Sequence, residues 1–148
     1  MAEFSAVSEQ IINPGESVVF VTNPVPCRKG LIWWRAGTGA FSLSGGPNRR
    51  NRCCCCPPCT TNYLALFGAN IAVPTGETVG PISVAFTIDG VTLQESQMEV
   101  TPAAVEEYFS VSTADNVAVR CGCCQTFSVR NTSTIPISMR NANLILTK

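Results

Sequence analysis

Apolar and polar residues alternate along most of this chain, and the alternation predicts short β-strands. The clearest run covers residues 82–88, where large apolar side chains alternate with small ones. Neighbouring side chains of a strand point to opposite faces, so this run predicts one buried face and one outward face. The expected buried residues are Ile82, Val84, Phe86 and Ile88, and the expected outward residues are Ser83, Ala85 and Thr87.

Residues typical of tight turns separate these runs. Asp89-Gly90 lies between residues 82–88 and Val91–Leu93. This pair predicts a hairpin, because both central residues of the favoured turn need a positive φ. Alternation also recurs at residues 16–21, 40–44, 63–70, 108–112, 126–130, 135–140 and 144–147. Roughly eight to ten short strands at this spacing indicate an all-β sandwich or barrel.

The chain length favours one domain over residues 1–148. Only residues 101–107 have a helical pattern, with Thr101 as the cap and Pro102 at the first helical position. That segment is long enough for little more than one turn. Residues 47–61 are predicted to be a cysteine-rich loop inserted in a strand connection.

Composition favours self-assembly over several other functions. Charged residues form 14% of the chain and apolar residues 45%, which predicts that other protein covers part of the surface. The formal net charge is zero, and the one basic cluster, residues 49–52, has the composition of a solvated loop. We therefore expect no nucleic-acid partner. No apolar run is long enough for a membrane span.

The beginning of the sequence bears on where the protein is made. Met1–Phe4 lacks the basic start and apolar stretch of a secretory signal. We therefore expect synthesis in a bacterial cytoplasm, without a signal peptide. The high cysteine content favours an oxidising final location. A particle that assembles inside a cell and is then released would reconcile the two expectations.

Nine cysteines are the strongest chemical signal in the chain. They occur as a run near the middle and as four others, at Cys53, Cys54, Cys55, Cys56, Cys59, Cys27, Cys121, Cys123 and Cys124. All nine are candidates for disulfides or cross-links. If connecting loops gather at one end of a sandwich, the 53–59 run lies within reach of residues 121–124. An odd number leaves at least one thiol free or paired between subunits.

Zinc binding is the alternative use of these thiols. Cys56 and Cys59 have the two-residue spacing of a zinc knuckle, and Cys121 and Cys124 would complete four thiolate ligands. The second pair does not share that spacing, and a third possibility is that the thiols stay reduced. We expect disulfides and no cofactor.

The chain contains no histidine, which removes the commonest base for a cysteine or serine nucleophile. Its carboxylates show no paired spacing, and no glycine-rich phosphate loop is present. The sequence therefore predicts a protein that is not an enzyme and has no catalytic residues.

Trp33 and Trp34 are adjacent, so on a strand they point to opposite faces. One indole is expected to enter the core while the other meets solvent or a partner. Tryptophan is enriched at binding hot spots, which makes both residues interface candidates. Sugar recognition by the outward ring is a further possibility.

Five segments, spread over roughly residues 4–147, share the strand-and-turn pattern of a known fold family: Ile12–Phe20, Phe67–Pro74, Gly80–Phe86, Ser128–Ser133 and Asn143–Leu146. Together they resemble compact bacterial jelly rolls. They are similar to the tumour-necrosis-factor-like C-terminal domain of collagen-like spore-surface glycoproteins, and to small decoration or head-fibre proteins of Firmicutes phages. The chain has no Gly-X-Y collagen region, which favours the capsid function over the spore filament.

This resemblance implies a jelly-roll sandwich that forms homotrimers. It also implies a structural protein on a virion surface that decorates a phage capsid. The alternatives are a disulfide-locked subunit of a spore surface or appendage, and a carbohydrate- or receptor-binding module. The expected partners are the protein itself and a capsid or other particle surface.

Overall fold

The computed structural model describes residues 1–27, 30–46 and 59–148. Within these ranges the chain forms twelve β-strands and one short 3₁₀ turn at Gln94–Ser96. The strands are β1 (Ala2–Ala6), β2 (Gln10–Ile12), β3 (Thr22–Val25), β4 (Ile32–Trp34), β5 (Ala40–Ser44), β6 (Thr60–Ala72), β7 (Ile82–Ile88), β8 (Val91–Thr92), β9 (Met98–Val100), β10 (Phe109–Arg120), β11 (Cys124–Asn131) and β12 (Ile137–Thr147).

The strands form two antiparallel sheets that pack face to face. Sheet 1 has the order β10-β6-β12-β1-β3, with β2 also paired to β12. Sheet 2 has the order β4-β5-β11-β7-β8, with β9 also paired to β7. This is a jelly-roll sandwich, and the predicted all-β fold is confirmed.

Aromatic rings fill the space between the sheets. Phe4 of sheet 1 lies 4.6 Å from Phe41 of sheet 2, measured between ring centroids, in an edge-to-face arrangement. Phe41 also contacts Phe20 and Phe127, and all four rings are at most 1% exposed. Each such ring contributes a large buried apolar area as well as a favourable ring–ring geometry.

The turn after β7 has the predicted form. Asp89 and Gly90 both have positive φ, at 50° and 84°. The chain then returns as β8, which pairs with β7 through Ile88 and Val91. The Asp-Gly hairpin is therefore confirmed.

The predicted outward face of β7 is wrong. The large side chains do point into the core, but Ser83, Ala85 and Thr87 are also buried. The reason is that β7 is an interior strand, with β11 on one side and β8 and β9 on the other. The two hydroxyl side chains hydrogen-bond to neighbouring residues: Ser83 lies 2.8 Å from the Thr132 hydroxyl and Thr87 lies 2.6 Å from the Ser128 hydroxyl.

The strand predicted at residues 16–21 does not form as a continuous element. Ser17 makes a single bridge to Arg130 in sheet 2, and the Val18 amide donates to the carbonyl of Val129. Three residues later, the Val21 amide donates to Ser5 in sheet 1. The segment thus crosses from one sheet to the other, and neither sheet provides a long enough edge for regular pairing.

The helical turn predicted at residues 101–107 is also wrong. Glu106 has φ of +58°, which ends any right-handed helix, and its amide donates to the carbonyl of Val73. The Glu107 carboxylate accepts a hydrogen bond from the Ala103 amide at 2.8 Å. The segment is a looped connection between β9 and β10, which these local side-chain contacts hold.

A buried asparagine fixes the end of β11 against its neighbours. Asn131 is 1% exposed, and its amide nitrogen donates to the carbonyls of Ile12 and Ile135 at 2.9 and 3.0 Å. Its side-chain oxygen accepts from the Ser133 amide. These bonds join the β11–β12 connection to β2 and add to the backbone hydrogen bonds between Asn131 and residues 15 and 16.

Candidate functional site

Three chain connections meet at one end of the sandwich. They are Gly45–Gly46 after β5, Cys59 before β6 and the Cys121–Cys124 turn between β10 and β11; we call this region the cysteine pole. Cys59 and Cys121 form a disulfide with a Cα–Cα distance of 5.4 Å. One cysteine of each sequence cluster is therefore covalently joined here.

Backbone hydrogen bonds reinforce this junction. The Gly45 amide donates to Cys123 and the Gly122 amide to Gly46, at 2.9 and 2.8 Å. A Cβ at Gly45 would overlap the backbone carbonyl of Arg120, so only glycine allows so close an approach. Gly46 and Cys59, which precede and follow residues 47–58, are consequently both attached to the hairpin turn between β10 and β11.

Two further cysteines of the pole are exposed. Cys123 and Cys124 carry free thiols, and both line an open cavity of about 450 Å³ together with Arg120 and Asp89. Cys59 is also exposed, whereas Cys121 is half-buried. Three of the four described cysteines of the pole are therefore exposed residues.

Tyr63 connects the pole to the core. Its hydroxyl donates to the Ser44 carbonyl at 2.5 Å and lies 3.3 Å from the Leu31 carbonyl. Burial raises the pKa of Tyr63, and the nearby Cys27 and Cys124 thiolates raise it further. Half-buried Cys27 lines a cavity together with Leu31 and Tyr63.

The zinc alternative loses two of its proposed ligands to the disulfide. Cys59 and Cys121 are bonded to each other, so neither supplies a thiolate in this structure. Cys53, Cys54, Cys55 and Cys56 lie outside the described residues, as do residues 47–58 of the predicted insertion. Across the described ranges, no three Cys, Asp or Glu side chains are grouped as metal ligands.

The outer surface of sheet 1 carries an uncharged patch, which we call the apolar face. In register across β10, β6 and β12 lie Ala114, Leu66 and Ile145. Leu64 and Gly68 flank Leu66 along β6, and a shallow depression of about 390 Å³ lies at the centre. The face is uncharged over three strands, which is unusual for solvent-exposed sheet.

The apolar face was not among the predicted sites, although the sequence contains a signal for it. Residues 63–70 contain apolar side chains at both odd and even positions, and the odd-numbered Tyr63, Ala65 and Phe67 are buried. Leu64 and Leu66 occupy the opposite face, with Leu66 36% exposed. A strand that is apolar on both faces predicts a second covered surface.

The two tryptophans point to opposite sides of β4. Trp34 is half-buried and its ring packs 5.6 Å from Phe4, whereas Trp33 is 67% exposed. Trp33 lines an open cavity of about 490 Å³ on the outer surface of sheet 2. Ser42 and Thr126 lie in register beside it on β5 and β11.

The same row ends in a carboxylate. Asp89 follows β7, and its side chain accepts a hydrogen bond from the Thr126 amide at 2.8 Å. Trp33, Ser42, Thr126 and Asp89 therefore form a row of one ring, two hydroxyls and one carboxylate, which we call the Trp33 row. Neighbouring strands lie about 4.8 Å apart, so three strand spacings give a length of about 14 Å.

No family model and no curated protein matches the chain. Among solved structures, the globular domain of the zebrafish complement 1qA protein is similar, with 8% identity and a TM-score of 0.53; the match covers 99% of this chain and 96% of that one. A second match is the EclA C-terminal domain, described as a sugar-binding protein, with 15% identity, coverage of 81% and 86%, and a TM-score of 0.36. At 8% identity, the match to the zebrafish domain shows similarity of fold alone.

None of the described helices has the length and apolar character to span a membrane.

Proposed function

We propose that this protein is a non-enzymatic structural protein that self-associates through the apolar face. The observation that carries the proposal is the row of Ala114, Leu66 and Ile145 across three strands of sheet 1. The core of a stable interface is poor in Lys and Glu and rich in apolar side chains, which matches this face. The low charge content of the whole chain has the same explanation.

The charged residues around the apolar face support a second copy as its partner. Arg120 and Arg140 lie toward opposite ends of the sheet, and the Glu3 carboxylate is held by the Asn143 amide at 2.7 Å. Glu3 lies opposite Ile145 on β1, so a copy seated on the centre leaves this carboxylate at the rim of the contact, on its Asn143 hydrogen bond. A standard interface of about 800 Å² per partner is roughly a tenth of the 8165 Å² accessible surface.

The homotrimer is the specific assembly that we propose, on the basis of the resemblance to threefold jelly rolls. Light scattering under reducing conditions should give about 47 kDa, three times the 15.8 kDa chain. Leu66→Lys should weaken association at least about tenfold, because it brings like charges together in an apolar interface. Val91→Lys is the matched control, since Val91 is 69% exposed on sheet 2.

Two results would contradict the trimer proposal. One is a parent protein that stays at 15.8 kDa at high concentration. The other is a Leu66→Lys variant that associates as well as the parent while Val91→Lys dissociates. The second result would move the interface to sheet 2.

We further propose a particle surface as the location, and a phage capsid as the particle. The resemblance to phage decoration proteins supports the capsid, and the spore surface or an appendage is the alternative. Purified protein should cosediment with capsids from the source phage and not with spores of the host. Binding to spores alone would replace the capsid by the alternative.

Oligosaccharide binding is a second candidate function, favoured by the Trp33 row. An exposed indole offers an apolar surface to a sugar ring, while hydroxyls and a carboxylate offer hydrogen bonds to its hydroxyl groups. On a glycan array, Trp33→Ala and Asp89→Asn should both abolish binding. Asn tolerates the positive φ of residue 89, so this variant keeps the turn. A parent protein that binds no glycan on the array would exclude the second candidate.

A further inference from the structure

We propose that the cysteine pole is a site of thiol–disulfide exchange between two copies of this protein. A thiolate of Cys123 or Cys124 on one copy attacks the Cys59 sulfur on the other. A disulfide forms between the copies as the Cys59–Cys121 bond breaks. Cys121 leaves as a thiolate and takes up a proton, while the attacking thiol has released one. One disulfide is lost and one is formed, so no oxidant or reductant is needed.

Accessibility is the first support for this exchange. The attacking thiols and the attacked sulfur belong to Cys123, Cys124 and Cys59, all of which are exposed. Exchange rates depend on access to the attacked sulfur and on the supply of thiolate. Buried Cys residues would be inert, whereas these three residues are exposed and belong to connections at the same end of the sandwich.

Rigidity of the turn is the second support. The amides of Gly122 and Cys121 donate to Gly46 and Cys59, and Gly45 donates to Cys123. These bonds hold the turn in place, so the exposure of its thiols belongs to the folded state and requires no local unfolding.

The occupant of the site is a second copy, because every copy carries both the attacking thiols and the attacked disulfide. Two poles that meet about a twofold axis can therefore exchange in both directions. The cavity also carries Arg120 and Asp89, one cation and one carboxylate, so a twofold contact can place opposite charges together. A net charge of zero adds no long-range repulsion between copies.

The exchange can propagate. After one step, the acceptor copy has a Cys121 thiol in the same turn as Cys123 and Cys124, and any of these thiols can attack a third copy. Covalent chains would grow with a constant number of thiols. This linkage goes beyond the proposed association, because it uses the cysteine pole and not the apolar face.

Two complementary variants test the exchange. Both carry serine at positions 53–56, so these four thiols cannot take part. The disulfide-only variant adds Cys123→Ser and Cys124→Ser, and the thiol-only variant adds Cys59→Ser and Cys121→Ser. They are mixed without oxygen or any added oxidant and analysed on a non-reducing gel, with Cys27→Ser in both as a control.

Covalent dimers should appear in the mixture and in neither variant alone. Peptide mapping should find Cys59 linked to Cys123 or Cys124, and the total of free thiols should stay constant. Dimers from the disulfide-only variant alone would overturn the proposal. So would a mixture of folded variants that yields no dimer, a loss of two thiols per cross-link, or dependence on Cys27.

A measurement on the protein that carries serine only at positions 53–56 covers the case in which a further substitution prevents folding. Brief alkylation of this protein should modify Cys123 and Cys124 and suppress covalent dimers at least about tenfold, because the thiolate is the attacking species. Undiminished dimer formation after complete alkylation at both positions would refute the exchange. Leu66→Lys should leave the covalent dimers intact, because the exchange does not use the apolar face. Light scattering under reducing conditions tests the apolar face separately, so the two proposals can fail independently.

Discussion

Removal of the Cys59–Cys121 disulfide should cost a large part of the stability of this fold. The perturbation is Cys59→Ser with Cys121→Ser, made in a protein that already has serine at positions 53–56. That background prevents another thiol from replacing either partner. The comparison protein carries the same four serines and retains the disulfide.

The expected magnitude follows from the length of the closed loop. The two cysteines are 62 residues apart in sequence. A cross-link over a loop of that length lowers the entropy of the unfolded chain enough to stabilise the fold by about 4 kcal/mol at 25 °C. Unfolding entropy of about 2.1 cal/mol/K per residue, over 148 residues, converts this loss into a decrease in Tm of about 13 °C.

Thermal unfolding followed by circular dichroism, without reductant, measures the effect. Cys123→Ser with Cys124→Ser is the matched control, and it should change stability by less than about 0.5 kcal/mol because both side chains are exposed. A decrease in Tm smaller than about 4 °C for the disulfide variant would refute the reasoning. It would mean that the unfolded chain is already constrained at this junction without the bond.

Other residues give three further predictions. Asn131→Asp should destabilise by about 3 kcal/mol in urea unfolding, since it turns a carboxylate oxygen toward two buried carbonyls; no loss at neutral pH would contradict this. Gly45→Ala should cost at least about 2 kcal/mol, because the methyl group overlaps the Arg120 carbonyl, whereas Gly68→Ala meets no close atom and should be tolerated. Burial raises the pKa of Tyr63 above 10.0. The contribution of Tyr63 to the free energy of unfolding is therefore fully present below about pH 10 and is lost as pH rises through the folded-state pKa. Tyr63→Phe should flatten the alkaline decrease in the free energy of unfolding. An unchanged slope of that free energy against pH would contradict the assignment.

The all-β class and most strands follow from the sequence because two-residue periodicity is a local property of the chain. Residues 40–44 and 82–88 form strands with the predicted bounds. The hairpin at Asp89-Gly90 is equally local, since it depends on the φ preferences of two residues.

Apolar–polar alternation gave wrong predictions where the surroundings of a segment decide its conformation or burial. Residues 16–21 alternate like a strand, yet they cross between the sheets, and no continuous edge was available to pair with them. The small side chains of β7 were predicted to face solvent, but neighbouring strands on both sides cover them. Burial of this kind depends on strand order, which periodicity does not contain.

The candidate sites divide in the same way. The sequence by itself determined that thiols are abundant, that histidine is absent and that Trp33 and Trp34 face opposite sides. Only the tertiary structure decided that Cys59 bonds with Cys121, because a pairing across 62 residues depends on which loops meet. Only the tertiary structure assembled the apolar face, because Leu66 and Ile145 become neighbours through the pairing of β6 with β12.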